Sequence, residues 1–226
     1  MTRKWLHSWI FGALLLLAGC SKMEMGPGPF NGDMGDKSWL ATGTFRWIQG
    51  QQTVRIDAST LALVDNPDIL TGILNGSRII FEYSSGYGGE LPDFCTESIY
   101  IHWVTALEEG TVSRTPVSAL GGDPMDIVTD WITSLEDGFL TIHYSVRTTG
   151  NVLHTFTLAP GEKAGEYVLL HDAHGDQGGE LTEGIICFPV SALLPETGGE
   201  TVTLSLDYLN LQNSRTRLTV DYRSPQ

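Results

Sequence analysis

Residues 39–47 read Trp-Leu-Ala-Thr-Gly-Thr-Phe-Arg-Trp, and their side chains alternate in character. Trp39, Ala41, Gly43, Phe45 and Trp47 fall on one side of an extended segment, and the other side is mostly polar. A repeat of two residues is typical of a β-strand with one face against a core. The stretch therefore predicts a strand whose aromatic face lines a barrel interior; an aromatic platform for sugars is the alternative.

Four more strand-like segments complete the first block, residues 37–114. They lie at residues 53–57, 61–64, 78–83 and 99–107, with a glycine-rich loop at residues 86–92 before the last. Short strands packed so closely along the sequence are typical of an OB-like Greek-key barrel. The first block is therefore predicted to be such a barrel.

A second block, residues 125–226, follows a predicted linker at residues 115–124. Leu140, Ile142 and Tyr144 share one face of an extended segment, and similar alternation recurs at short intervals up to Tyr222. Recurrent short strands without a strongly helical stretch are typical of a β-sandwich. The predicted fold class is all-β, with a small OB-like Greek-key barrel followed by a β-sandwich.

The amino terminus carries a targeting signal. Arg3 and Lys4 precede an apolar run that ends at Leu17-Ala18-Gly19-Cys20, and this run is shorter than the about 20 residues that span a bilayer. Small residues followed by a cysteine resemble the bacterial lipobox. Residues 1–19 are therefore predicted to be a lipoprotein signal peptide, Cys20 the lipid attachment site, and residues 20–36 a flexible, lipidated tether.

The acidic composition restricts the partners of the chain. It contains 27 Asp and Glu against 13 Lys and Arg, for a formal net charge of −14. Such a chain repels phosphate backbones and anionic lipid, so we expect no nucleic-acid partner and a membrane contact made through the lipid anchor. We expect the protein at the outer membrane, with both the cell surface and the periplasmic face open.

Segments of the second block resemble the carboxy-terminal β-sandwich of the NigD-like lipoproteins. They are Asp126-Ile127 with Trp131, and residues 137–142, 154–158, 170–176 and 186–190. Residues 74–80 are similar to part of the amino-terminal OB-like domain of the family. The chain differs from the family in lacking an acidic run directly after the cysteine.

This resemblance implies a cell-envelope lipoprotein that has no catalytic residues. The family takes its name from a bacteriocin gene cluster, so bacteriocin immunity or protection is one implied function. The residues themselves favour a non-enzymatic binding module for an envelope protein or a glycan, because no common catalytic or phosphate-binding motif occurs. A hydrolase whose site is assembled from distant loops is a third hypothesis.

His154, His171, Asp172, His174 and Asp176 form the densest group of potential metal ligands. Imidazole and carboxylate donors suit zinc, but histidines at a sandwich edge also serve as hydrogen-bonding residues. We favour the structural role, and we predict neither a metal nor a cofactor.

Tyr83, Tyr87 and Phe94 flank the glycine-rich loop of the first block. Loops on a rigid barrel are common sites of recognition, so these three residues are the candidate ligand contacts. Besides Cys20, the chain has Cys95 and Cys187, which either pair or remain thiols. Cys187 lies in an apolar segment that predicts a core strand.

Overall fold

The computed structural model describes residues 22–25, 37–117 and 121–223. Its regular elements are β-strands, with one short 3-10 helix at Pro67–Leu70. The strands form a barrel followed by two further sheets, which confirms the predicted fold class. Residues 1–19 and Cys20, where the signal peptide and the lipid attachment were predicted, lie outside the described residues. Within the described ranges, no helix is long and apolar enough to cross a membrane.

Strands β2 to β6 build the barrel. Their bounds are β2 (Ser38–Ile48), β3 (Gln51–Arg55), β4 (Leu61–Val64), β5 (Arg78–Ser85) and β6 (Glu97–Ala106). The order is β2-β3-β4-β6-β5, and a pairing of β5 with β2 closes the barrel. Only β4 and β6 run parallel within this set. This Greek-key order is that of an OB-like barrel.

The barrel core forms where β2 crosses β3 and β5. Ala41 and Phe45 are fully buried on the predicted inner face of β2 and belong to one apolar cluster with Val54 and Phe81. Gly43 lies between them, where a Cβ atom would stand 2.5 Å from Cγ1 of Val54. The close approach of these strands therefore depends on a residue without a side chain.

Trp47 does not lie in the core, so that part of the β2 prediction is wrong. Its side chain is 52% exposed. β2 pairs with β5 only from Trp39 to Thr44, and Trp47 lies beyond this segment, opposite Gln52 in the hairpin with β3. The end of β2 thus projects past the barrel wall, and no second layer covers the indole.

The second part of the chain forms two packed sheets. One contains β7 (Glu108–Glu109), β9 (Asp126–Val128), β10 (Ser134–Glu136), β11 (Phe139–Thr148) and β14 (Glu180–Pro189). The other contains β8 (Thr111–Val112), β12 (Thr155–Pro160), β13 (Glu166–Asp172), β15 (Val202–Leu209) and β16 (Arg215–Tyr222). Apolar residues of both sheets, among them Ile142, Phe156, Phe188 and Leu206, form one core between them.

The chain enters both sheets of the sandwich immediately after the barrel. β7 pairs in parallel with β14, and β8 pairs in parallel with β12. Residues 108–112 fall in the predicted barrel block, but their strand partners belong to the sandwich. The block boundaries and the linker at residues 115–124 stay predictions.

A short strand, β1 (Lys22–Met25), lies within the predicted tether. It pairs antiparallel with the start of β2, from Lys22 opposite Ala41 to Met25 opposite Ser38. The backbone of these four residues therefore extends the barrel sheet.

Arg78 lies where the barrel meets the sandwich, and its side chain is completely buried. Its guanidinium donates to Oγ1 of Thr42 at 3.0 Å and of Thr44 at 3.3 Å, both on β2. It also donates to Oγ1 of Thr141 on β11 at 3.3 Å. Burial lowers the pKa of Arg78 to about 10, although nearby carboxylates, Glu136 first, act in the opposite direction.

The same contact explains two buried threonines outside the barrel core. Thr42 and Thr44 alternate with the inward residues of β2, so they face outwards from the barrel, yet both are fully buried. Both hydroxyls bind the buried guanidinium of Arg78, which also reaches Thr141 on β11, and Arg46 adds an ion pair between barrel and sandwich, 2.8 Å from Asp137. Barrel, first sheet and second sheet are thus stacked in sequence.

We predict that Gly43→Ala destabilises the protein by about 1–3 kcal/mol, because the new methyl group overlaps Val54 and forces β2 away from β3. Urea unfolding followed by circular dichroism measures the change in the free energy of unfolding.

Gly89→Ala is the matched control, since a Cβ atom there meets no other atom within 4 Å. We expect this exposed substitution to change stability by less than about 0.5 kcal/mol. Equal stability of the two variants would contradict the proposed packing at Gly43.

Candidate functional site

Two of the three predicted contact residues lie in the loop between β5 and β6, residues 86–96. Tyr87 is 77% exposed, and Phe94 is half-buried. Tyr83 instead belongs to β5, is 3% exposed, and packs against Trp39 and Phe81 with ring centroids 5.5 and 5.4 Å apart. Burial also raises the pKa of Tyr83. Only Tyr87 and Phe94 are therefore placed where a ligand could reach them from solvent.

A cleft of about 670 Å³ opens between this loop and the β2–β3 hairpin. Its walls are formed by Gln49 and by residues 90–94, which include Phe94. Gln49 has a positive φ of 49° in the hairpin turn, a geometry that the sequence does not reveal for glutamine. In OB folds, ligands bind beside the first hairpin and the loop between the last two strands, the same two segments that border this cleft.

Asp65 fixes the start of the loop. One oxygen of its carboxylate accepts the amide hydrogen of Tyr87 at 2.7 Å, and the amide of Gly86 donates to the Ser98 carbonyl at 2.8 Å. A Cβ atom at Gly86 would lie 2.1 Å from Oγ of Ser98 and 2.4 Å from Oδ2 of Asp65. Glycine at this position lets the loop close tightly against the barrel, which holds Tyr87 in place.

The segment that forms β5, the loop and β6 is acidic. Between Arg78 and Arg114 the sequence contains no lysine or arginine, whereas Glu90 and Asp93 border the cleft. The site therefore disfavours anionic ligands and suits a neutral or cationic one.

Three of the predicted metal-ligand residues meet at one end of the sandwich. Nδ1 of His154 lies 2.9 Å from Nε2 of His171, and Nε2 of His154 lies 3.6 Å from Oδ2 of Asp176. The ring of His171 stacks on Phe156, with centroids 4.9 Å apart and 14° between the planes. All three polar side chains are at least nine-tenths buried.

The hydrogen bonds assign protons within this group. Nδ1 of His171 faces the carbonyl oxygens of Asp123 and Pro124 at 3.3 Å and must donate to them, so its Nε2 accepts from Nδ1 of His154. Nε2 of His154 lies 3.6 Å from Oδ2 of Asp176, beyond hydrogen-bonding distance, and the Asp176 carboxylate accepts from the Thr148 hydroxyl at 2.8 Å. The pKa of His171 is lowered by burial and by His154, and hydrogen bonding, chiefly from Thr148, lowers the pKa of Asp176.

This arrangement favours a structural role for the group. The hydrogen bonds through His154 and His171 end on backbone carbonyls rather than on a nucleophile, and Asp176 binds the end of β11. The remaining two predicted ligands are exposed: Asp172 ends β13, His174 lies on the turn that follows, and the two side chains contact one another at 3.5 Å. Among the described residues, no group of three or more His, Cys, Asp or Glu side chains is placed to hold a metal ion.

Cys95 and Cys187 are both free thiols, so the alternative of a disulfide between them is not realised. Cys187 is fully buried on β14, as its apolar surroundings predicted, and burial raises its pKa to about 12. A protonated thiol at this depth is a poor nucleophile.

The sandwich core contains a second, much smaller cavity of about 30 Å³. Its lining is apolar and includes Leu140, Leu204 and Val220. A space of this size holds little more than a methyl group or a water molecule, and it offers no polar partner. It is a packing defect rather than a binding site.

Comparison with known families identifies the second half of the chain. Residues 110–222 match the family described as "NigD-like C-terminal beta sandwich domain". The chain belongs to the NigD-like family. The matched range begins just before β8 and ends at the last residue of β16, so this NigD-like domain includes the short strand that leaves the barrel.

Solved structures share the fold across both parts of this NigD-like chain. A Parabacteroides distasonis protein described as toxin-related is 19% identical with a TM-score of 0.65, over 82% of this chain and 93% of the other. A NigD-like immunity protein from Bacteroides caccae is 17% identical with a TM-score of 0.54, over 82% and 96%. A Bacteroides fragilis protein described as a lipoprotein is 13% identical with a TM-score of 0.53, over 82% and 97%. No curated protein matches the chain significantly.

We predict that protonation of His171 destabilises the fold. Its pKa in the folded protein lies below the ordinary 6.5, so the unfolded chain binds this proton more readily in the window just below pH 6.5. The contribution of His171 to stability is therefore present above pH 6.5 and is lost as the pH falls through that window. Urea unfolding of wild type and His171→Gln from pH 7.5 to 5.0 should show their stability difference shrinking towards acid pH.

His174→Gln is the control, because it makes the same substitution at an exposed histidine on the turn that follows β13. The pH dependence of the His171→Gln difference is judged against that of this variant. A His171→Gln difference that is constant with pH would contradict the predicted destabilisation by protonation of His171.

Proposed function

We propose that this protein is a lipid-anchored, non-catalytic binding protein of the bacterial outer membrane, and that its ligand occupies the cleft between Gln49 and residues 90–94. The position of the cleft supports this role most directly, because it lies between the two segments that flank the binding face of OB folds. The half-buried Phe94 on one wall supplies aromatic contact surface of the kind that binding sites use, and the exposed Tyr87 lies on the same loop.

The anchoring part of the proposal rests on the sequence around Cys20. Leu17-Ala18-Gly19-Cys20 resembles a lipobox, and several acyl chains on one cysteine would hold the protein to a membrane firmly. The Bacteroides fragilis structure with the same fold is described as a lipoprotein, which supports the same placement.

Bacteriocin immunity or protection is the second candidate function. The similar structures described as an immunity protein and as a toxin-related protein favour it. In that case the ligand in the cleft would be a bacteriocin or its receptor, whereas the leading proposal expects a component of the envelope.

We expect Cys20→Ser to release the protein from the membrane. Wild type should sediment with the outer membrane and its mature amino-terminal peptide should carry the mass of acyl chains, because lipidation needs the thiol. Cell fractionation and mass spectrometry measure both. Cys95→Ser is the matched control and should sediment as wild type does; an unmodified amino terminus in wild type would remove the anchor.

The cleft can be tested by photo-crosslinking on intact cells. A benzoylphenylalanine at Leu91, on the cleft wall, should give specific adducts, because a ligand in the cleft would lie within its reach. The same group at Leu181, an exposed leucine of the sandwich, is the control and should give none of these adducts. Mass spectrometry of the adduct then identifies the partner.

The identity of the adduct separates the two candidates. An envelope protein or glycan supports the leading proposal, and a bacteriocin or its receptor supports immunity. Identical adduct patterns from positions 91 and 181 would contradict a ligand site in the cleft.

A further inference from the structure

The outer surface of β5, β6 and the start of their loop carries four aromatic rings. Tyr87 is 77% exposed and Trp103 is 41% exposed, while His102 is exposed and Tyr100 is half-buried. The ring centroids of Tyr87 and Tyr100 are 5.4 Å apart, and those of Tyr100 and His102 are 5.5 Å apart. We call these four residues the aromatic surface.

A β-bulge brings these rings to the same side of the barrel. Ile99 and Ile101 are buried in the core, so Tyr100 between them faces outwards. The pairing of β5 with β6 shifts register between Glu82 and Tyr83, and Trp103 pairs with Glu82 and faces outwards as well. His102 is the additional residue of the bulge, so three consecutive outward positions of β6 carry rings.

The surface is held in place by hydrogen bonds. Nε1 of Trp103 donates to the Glu82 carboxylate at 3.0 Å. The amide of Tyr87 donates to Asp65 at 2.7 Å, and the adjacent Gly86 has no room for a side chain. Neighbouring rings are inclined at 75° and 57° rather than stacked, so they do not cover one another face to face. The rings are therefore already ordered in the free protein, and a ligand that binds them loses little affinity to the entropy of fixing side chains.

The charge around these rings selects the ligand class. Residues 79–113 contain no lysine or arginine, and Glu82 and Asp65 lie beside the rings. This composition repels phosphate and sulfate groups, which argues against nucleic acid, anionic lipid and acidic glycans. Neutral sugars fit it, because their CH faces pack on aromatic rings and their hydroxyls donate to carboxylates and exchange hydrogen bonds with imidazole.

We propose that the aromatic surface binds a neutral polysaccharide, with Tyr87 and Trp103 as its main contacts. The inference deepens the proposed binding function and rests on it, since loop 86–96 contributes both Tyr87 to this surface and Phe94 to the cleft. A polymer suits a row of rings that spans several residues along one strand, whereas a single sugar would use only one of them.

Affinity electrophoresis of the purified mature protein in gels containing dextran, mannan, galactan or xylan tests the proposal. At least one of these neutral polysaccharides should retard wild type, and polygalacturonate, an anionic polysaccharide, should not. Tyr87→Ala and Trp103→Ala should each weaken the retardation about tenfold, the effect of removing a main contact. Tyr87→Phe keeps the ring and should bind nearly as wild type does.

Trp47→Ala is the matched control, because Trp47 is a similarly exposed tryptophan on β2, outside the aromatic surface. It should bind as wild type does, and circular dichroism confirms that each variant is folded. Retardation by none of the neutral polysaccharides, or an equal loss of binding in Trp47→Ala, overturns the inference.

Phe94→Ala separates this inference from the proposed function. If Phe94→Ala abolishes binding while Tyr87→Ala and Trp103→Ala leave it intact, the aromatic surface is refuted and the cleft stands. If no polysaccharide binds but the crosslink from position 91 captures a partner, the proposed function stands and the ligand class is wrong.

Discussion

The relation of the two halves depends on a buried cation. Arg78 has lost its water completely, and threonine hydroxyls from β2 and from β11 replace part of its hydration. Removing a guanidinium from water is costly unless its donors are satisfied, and these partners come from both halves of the molecule. The contact therefore requires the outer face of the barrel and the outer face of the first sandwich sheet to meet in one arrangement. The loop and the cleft of the barrel are consequently held in a fixed orientation relative to the sandwich.

Alternation along the sequence predicted the long strands, but not the short strands β1, β7 and β8 and not what covers each face. Ala41 and Phe45 lie in the barrel core as the period of two indicated. Trp47 follows the same pattern and is exposed, because β2 outlasts its partner β5. Thr42 and Thr44 have the pattern of solvent-facing residues in the sequence, yet both are buried against Arg78. Such errors arise because the local pattern reflects strand geometry, whereas the burial of each strand face depends on residues distant in the chain.

The candidate sites, too, were predictable from the sequence only where neighbouring residues determine them. The glycine-rich segment predicted a recognition loop flanked by three contact residues. The structure places two of them, Tyr87 and Phe94, within reach of solvent. The opposite wall of the cleft, Gln49, could not be foreseen because it approaches only through the barrel closure. His171 and His174 are close in sequence but separate in space, since one ends a buried strand and the other sits on a turn with positive φ. Their spacing suggested a shared ligand set that the backbone geometry does not form.

The path of the chain through β7 and β8 also determines how the protein can be divided. A fragment beginning at residue 115 would keep most of the sandwich sequence but would lack one edge strand from each sheet. The vacated edges of β14 and β12 would then expose unpaired amide and carbonyl groups, which invites association between chains. β7 and β8 belong to the sandwich sheets, so a fragment that keeps both sheet edges starts upstream of Glu108, inside the predicted barrel block.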